Sequence, residues 1–196
     1  MKYDIHDTKA VVLKTLPCGE DSLSVLLLTR DFGLLYARAQ GARKQVSKLR
    51  FGLADSSYIS VGLLLGKGGW RVTYLLPHAN ILFSLRGNLS AQRAVSNIMA
   101  VCGRIMNESR CEQEVFETVC GGLLDISKKG SRGKELHDKE RSIMLRTLYS
   151  LGYIESSTYL GLVDSERSSN GEEDLVRISL RKRISKEINR ALKVAC

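Results

Sequence analysis

Strand-like alternation fills the first eighty residues of this chain, in five short segments cut by turn residues, and that pattern leaves few folds open. Lys9–Thr15 is expected as the first strand, ended by Pro17, Gly19 and the polar Glu20-Asp21. Ser22–Thr29 is the second, and Arg30-Asp31-Phe32-Gly33 turns the chain into a third, Gly33–Ala39. There Leu35, Ala37 and Ala39 share one face, with Leu34, Tyr36 and Arg38 on the other. Ser57–Leu65 is the fourth strand, GKGG at 66–69 a glycine-rich hairpin turn, and Trp70–Leu76 the fifth, closed by Pro77. On the fifth strand the alternation puts Trp70, Val72, Tyr74 and Leu76 on one face and Arg71 and Thr73 on the other. Five short strands cannot hide both faces in an open sheet. Closing them into a small barrel does, and a five-stranded OB-fold barrel is the natural solution. The long connection between its third and fourth strands has room for a helical turn, expected through Gln45–Phe51.

After Pro77 the period changes to that of helices. Ala91, Ala94, Val95, Ile98, Val101, Cys102 and Ile105 form a stripe, with Ser90 placed to cap its start. Glu112–Ile126 follows, with Val115, Phe116, Val119, Leu123 and Leu124 facing inward. Lys128–Lys134 reads as a loop, and Asp138 as the cap of a helix running to Leu151 and ended by Gly152. The polar stretch 164–174, DSERSSNGEED, is expected as a mobile loop. A last helix near Ser179–Val194 has one stripe of Leu180, Ile184, Ile188, Ala191 and Leu192, and another of Lys182, Lys186, Arg190 and Lys193. The expected class is α+β: an OB-fold domain over 1–80 and a helical bundle over 81–196.

Charge narrows the function. Thirty bases against twenty-one acids give a formal net charge of +9, which favours a polyanionic partner, nucleic acid or an acidic membrane surface. The distribution is sharper than the total. From Phe32 to Asn107 there is one acid, Asp55, against ten bases. Four of those, Arg43, Lys44, Lys48 and Arg50, crowd into GARKQVSKLRFGL at 41–53, with Arg38 just upstream. Flexible cations on an exposed loop beside a barrel groove suit the phosphates of an unpaired strand. Arg38, Arg43, Lys44, Lys48, Arg50, Lys67 and Arg71 are the expected DNA-binding residues. Tyr36, Phe51, Tyr58, Trp70 and Tyr74 are the aromatics on which bases can stack, although Trp70 and Tyr74 are expected to fill the barrel. The basic stripe of the last helix either extends the phosphate track or serves as a solvated face.

Other chemistries find little support. Five widely spaced cysteines include no C-x-x-C pair, so they read as free thiols in a reducing compartment rather than metal ligands. His6, His78 and His137 lack ligand spacing, and no nucleophile or paired-carboxylate signature occurs. GLLLGKGG at 62–69 has three residues between its first two glycines and no Ser or Thr after the lysine, so it is not a phosphate-binding loop. The expectation is a non-enzyme without metal or cofactor. The start, MKYDIHDTKAVVLKT, lacks the apolar core of a secretory signal, and no aliphatic run is long enough to span a bilayer. A soluble, cytoplasmic protein is expected.

Taken together, KAVVLKTLPCGEDSLSVLLLTRDFGLL at 9–35, GARKQVSKLRFGL, the strand pair around GKGG and ERSIMLRTLYSLGY at 140–153 resemble the RecO-type recombination mediators. The similarity is strongest over about residues 9–85. It implies an amino-terminal OB fold and a helical carboxy-terminal domain. It also implies binding of single- and double-stranded DNA, annealing of complementary strands, and partnership with RecR and the single-stranded-DNA-binding protein SSB. By that resemblance Arg43, Lys44, Lys48 and Arg50 fall in the family's basic loop. Arg141 falls where the acidic, hydrophobic SSB tail is received. Many members carry a four-cysteine zinc module where this chain has ESSTYLGLVDSERSSNGEEDL, which contains no cysteine. The function expected is therefore a DNA-binding recombination mediator of recombinational repair, working at the nucleoid and helping to load recombinase on SSB-coated DNA. The alternative is an RNA-binding OB protein such as a ribosome-associated factor.

Overall fold

The computed structural model describes residues 4–106, 113–129, 132–168 and 174–195. The strands are β1 (Ile5–Cys18), β2 (Ser22–Thr29), β3 (Gly33–Ala39), β4 (Ser57–Gly66) and β5 (Gly69–Asn80). They close a barrel in the order β1-β2-β3-β5-β4, with β4 returning to pair with β1. Every ladder is antiparallel except the short β3–β5 contact, which is parallel. This is the five-stranded OB architecture expected from the alternation.

The pleat separates two cores. Ala10, Val12, Val25, Leu27, Leu35, Ala37 and Ala39 fill the barrel. Their neighbours Val11, Leu13, Leu26, Leu28 and Leu34 point outward and are buried against the helices. The outer face of the barrel thus contributes to the helical core.

Two prolines lie inside strands they were expected to end. Pro17 pairs with Leu23 near the end of β1. Pro77 pairs with Ile59 beside a bulge that leaves His78 unmatched. Beyond Arg71 no β3 residue pairs with β5, so a missing N–H there breaks no ladder on that side. A second bulge, at Thr73, has a larger effect: Gly62 faces Tyr74 and Leu63 faces Val72. The extra residue inverts the alternation. Leu75 turns toward the barrel core, while Tyr74 and Leu76 are exposed. The expectation that Tyr74 fills the barrel is corrected accordingly, and its hydroxyl donates to Asp7.

The helices are α1 (Ile81–Ser84), α2 (Leu89–Ile105), α3 (Gln113–Lys129), α4 (Gly133–Ser150), α5 (Ser156–Ser168) and α6 (Asp174–Ala195). A polar clasp joins barrel to bundle. Ser56, buried and at φ 66°, donates through Oγ to Asn80 Oδ1 at 3.2 Å and accepts from Leu82 N at 3.1 Å. Asn80 caps α1 by accepting from Phe83 N.

The boundaries of the bundle shift from expectation. Asn88, not Ser90, caps α2, its side chain accepting from Ala91 N. The helix of α4 begins at Gly133 rather than at Asp138, and α3 runs to Lys129, so most of the expected 128–134 loop is helical. Residues 164–168 belong to α5 and Asp174 opens α6, leaving only 169–173 of the expected polar loop, outside the described residues. Gly152 ends α4 as anticipated. At φ 78° it lets Tyr153 N reach back to Leu148 O at 2.9 Å, the six-residue closure of a Schellman cap. Tyr149 and Tyr159 then stack at 4.0 Å between α4 and α5. Cys102 and Cys120 are free and buried, and burial pushes both thiols up to about 12, so they act as small core residues.

Candidate nucleic-acid interface

The basic connection 40–56 closes over one end of the barrel. Ala42 and Leu53 are buried in the barrel core, and Leu49 packs against it. Between these anchors the backbone makes three successive turns: Lys44 N to Gly41 O, Ser47 N to Lys44 O, and Arg50 N to Ser47 O. These bonds recur every three residues instead of at each residue, so the expected helical turn through Gln45–Phe51 does not form. What the turns present outward is mixed. Lys48 and Arg50 are exposed, and so are Val46 at 90% and Phe51 at 83%.

Arg43 serves the fold first. Its guanidinium Nη1 donates to Gly19 O at 3.2 Å and Glu20 O at 2.9 Å, while its own N donates to Asp21 O. Lys44 Nζ lies 3.6 Å from Asp21. Both side chains therefore fasten the loop to the β1–β2 turn, and that turn supplies one acid, Asp21, that sequence spacing kept twenty residues away. Arg43→Ala is expected to lower stability by about 1 kcal/mol, a fall in Tm of roughly 2–4 °C. A thermal melt checks this; no change in Tm would mean the staple carries no load.

Arg38 and Arg71 are brought together across the parallel β3–β5 ladder as direct partners. Adjacent strands put their Cα atoms about 5 Å apart with both side chains on the outer face. Like charges placed this way cost about 0.2–1 kcal/mol. Their strand neighbours on either side, Ser24 and Leu64, supply no counter-charge. Lys67 sits at the tip of the two-residue β4–β5 hairpin, four residues before Arg71. Among the described residues, the side chains of Arg38, Lys48, Arg50, Lys67 and Arg71 have no ion pair or hydrogen bond. Uncompensated cations at the rim and along β3–β5 produce a field that an anion relieves.

The aromatics divide. Trp70 packs on Phe32 and His6, with ring centroids 5.0 and 5.9 Å away. Tyr58 is half-buried beside His78. Tyr36 is 49% exposed, two residues from Arg38 on the same face of β3, and Phe51 adjoins Arg50. These two rings beside unpaired cations are the arrangement a base-stacking platform needs.

Arg141 lies elsewhere, on α4, in a cleft of about 720 Å³ facing Lys182, Lys186, Arg190 and Lys193 of α6. Its Nε donates to Ser185 Oγ at 3.2 Å and its Nη1 to Asp138 at 3.4 Å. The basic stripe of the last helix therefore lines a second basic site within the bundle. Nothing in the spacing of the sequence pairs α4 with α6.

Residues 1–68 match the family model described as the amino-terminal region of recombination protein O. The chain is 29% identical over 169 residues to the DNA repair protein RecO of Bifidobacterium animalis subsp. lactis. That match covers 83% of this chain and 68% of the relative. The first 68 residues thus resemble the amino-terminal region of recombination protein O. The DNA repair protein RecO of Bifidobacterium adolescentis is 27% identical over 154 residues, covering 76% of this chain and 60% of the relative. The chain thus spans about two thirds of the length of these relatives. Among its described residues no helix is long and apolar enough to cross a membrane, and Ser156–Ser168 of the cysteine-free segment form α5.

Proposed function

We propose that this chain is a DNA-binding recombination mediator in recombinational repair, acting in the cytoplasm at the nucleoid without catalysing a covalent step. The observation that carries the reading is the Arg38–Arg71 pair, joined on the barrel and its rim by Lys48, Arg50 and Lys67, with no carboxylate paired to them among the described residues. Phosphates of two strands laid on such a surface lose much of their mutual repulsion, while Tyr36 and Phe51 hold unpaired bases open. Complementary bases then pair. Single strands gain both stacking and charge; duplexes gain charge alone. The names of the matching proteins support DNA repair and recombination as the process.

Annealing is the direct test. Two complementary oligonucleotides, one carrying a fluorophore and the other a quencher, should anneal faster with the parent protein than with Arg38/Lys48/Arg50/Arg71→Ala. Equal rates would remove the mechanism. Repeating the assay with matched RNA strands separates this reading from that of an RNA-binding OB protein.

The α4–α6 cleft fits the acidic, hydrophobic tail of SSB, its cations meeting carboxylates and its aliphatic stems lying against apolar side chains. Docking there, together with RecR, would displace SSB so that recombinase can load. Arg141→Ala is expected to weaken a tail peptide about tenfold, as loss of a charged hydrogen bond implies. Calorimetry on the peptide checks it, and an unchanged affinity places the tail elsewhere.

A further inference from the structure

A groove of about 460 Å³ runs between the outer face of the barrel and α2, within the size range of ligand sites. Its rim carries Lys14 of β1, Tyr36 of β3 and Arg104 of α2, with Asp55 as the one acid; Leu26 and Met99 lie in its floor. The strand register explains why these side chains meet. Lys14 pairs with Leu26, and Leu26 pairs with Tyr36, so the three form one row across β1, β2 and β3. At strand spacing, Lys14 and Tyr36 stand about 10 Å apart over the Leu26 floor. The extra residue of the β1 bulge between Val12 and Lys14 is what brings Lys14 to this face. Helix α2 passes close above: a Cβ added at Gly103 would lie in ordinary contact, 3.6 Å from Leu26 Cδ2.

The groove opens onto the surface described above. Tyr36 and Arg38 are two residues apart on the same face, and Arg38 adjoins Arg71. A track of cations therefore leads along β3 to Tyr36 and down into the groove.

We propose that this groove holds an unpaired segment of DNA, an inference that rests on the DNA-binding reading above. The half-exposed Tyr36 ring offers a stacking face at the entrance. Lys14 and Arg104 take the flanking phosphates, Lys14 as a point charge and Arg104 through a fork of donors. The apolar floor receives the base edge-on, and Asp55 accepts from an exocyclic amino group. A duplex keeps its bases stacked and paired inside, so it meets the Arg38–Arg71 face but does not enter. The groove is thus the element that distinguishes single strands from duplex.

Fluorescence anisotropy with a labelled mixed-sequence 16-mer, single-stranded and as duplex, tests this. Tyr36→Ala removes the stacking face; Ala100→Trp fills the groove from an exposed position on α2 and removes no cation. Both are expected to weaken single-strand binding about tenfold. Tyr36→Phe restores it to within threefold, and Ala100→Trp leaves duplex affinity within twofold of the parent. Circular dichroism melts confirm folding of each variant. Single-strand affinity unchanged in both Tyr36→Ala and Ala100→Trp overturns the groove, as does an equal loss on single strand and duplex in Ala100→Trp. Lys48/Arg50→Ala reports on the underlying reading separately. If the parent binds DNA and that variant loses it while the groove variants do not, only the groove fails; if the parent binds neither strand form, the DNA-binding reading fails and the groove with it.

Discussion

Alanine at Arg38, Lys48, Arg50 and Arg71 together is expected to cost single-strand affinity about six-hundredfold at 0.1 M salt. The magnitude follows from counterion release. Each phosphate neutralised on a single strand contributes about 0.7 to the log–log salt slope. Relative to 1 M salt, each contact is thus worth roughly 0.7 of a decade at 0.1 M, and four contacts about 2.8 decades. These four side chains are exposed and carry no internal ion pair among the described residues, so the fold loses little with them. Separating the Arg38–Arg71 pair removes a like-charge contact, and the variant should melt no lower than the parent by more than about 0.5 kcal/mol. An anisotropy titration beside a thermal melt reads both quantities. A variant that binds within threefold of the parent would show that the phosphates lie elsewhere.

Phe116→Ala is the substitution expected to harm stability most. The ring is 2% exposed and sits among Val115, Val119 and Leu123 of α3, in the core that also takes Leu28 and Leu34 from the barrel. Removing it takes away buried apolar area and leaves a cavity that close-packed neighbours only partly fill, a loss of about 3–5 kcal/mol. For a chain this size that is a fall in Tm of roughly 6–20 °C. Denaturant unfolding gives the value directly. A loss below about 1 kcal/mol would mean that the helical core does not depend on α3 as its packing indicates.

How much of this was legible in the sequence depended on whether the deciding interaction was local. The ends of β2 and the start of β3 are legible to the residue, because Glu20-Asp21 and the turn from Arg30 to Gly33 leave the chain no other course. The division of β3 into Leu35, Ala37 and Ala39 inside and Tyr36 and Arg38 outside followed from period two alone. The Thr73 bulge has no comparable mark. It depends on how β5 meets Gly62 of β4, where a Cβ would lie 2.5 Å from the Tyr74 ring, so period two alone puts Tyr74 on the wrong face. Helix starts failed for a related reason. Arg132 precedes α4 with no side-chain cap bond, so nothing before Asp138 announces the helix.

The candidate site divides along the same line. That residues 32–107 are nearly free of acids was visible in the sequence, and with it the cations themselves. Which of them stay unpaired was not. Arg43 and Lys44 look no different from Lys48 and Arg50 until the loop folds back on Asp21 and the carbonyls of Gly19 and Glu20. The partnership of Arg38 with Arg71 arises from a parallel contact between strands thirty residues apart. Lys14 enters the groove only through a bulge.

Charge neutralisation of an unpaired strand by the β3–β5 face and the rim loop is the claim on which the rest depends. The most direct measurement is the affinity for a labelled single-stranded oligonucleotide across 50–300 mM monovalent salt. With about five phosphates engaged, log affinity against log salt should fall with a slope of roughly −3.5, dropping to about −0.7 in the four-alanine variant. A slope near zero for the parent, at whatever affinity, would contradict the account.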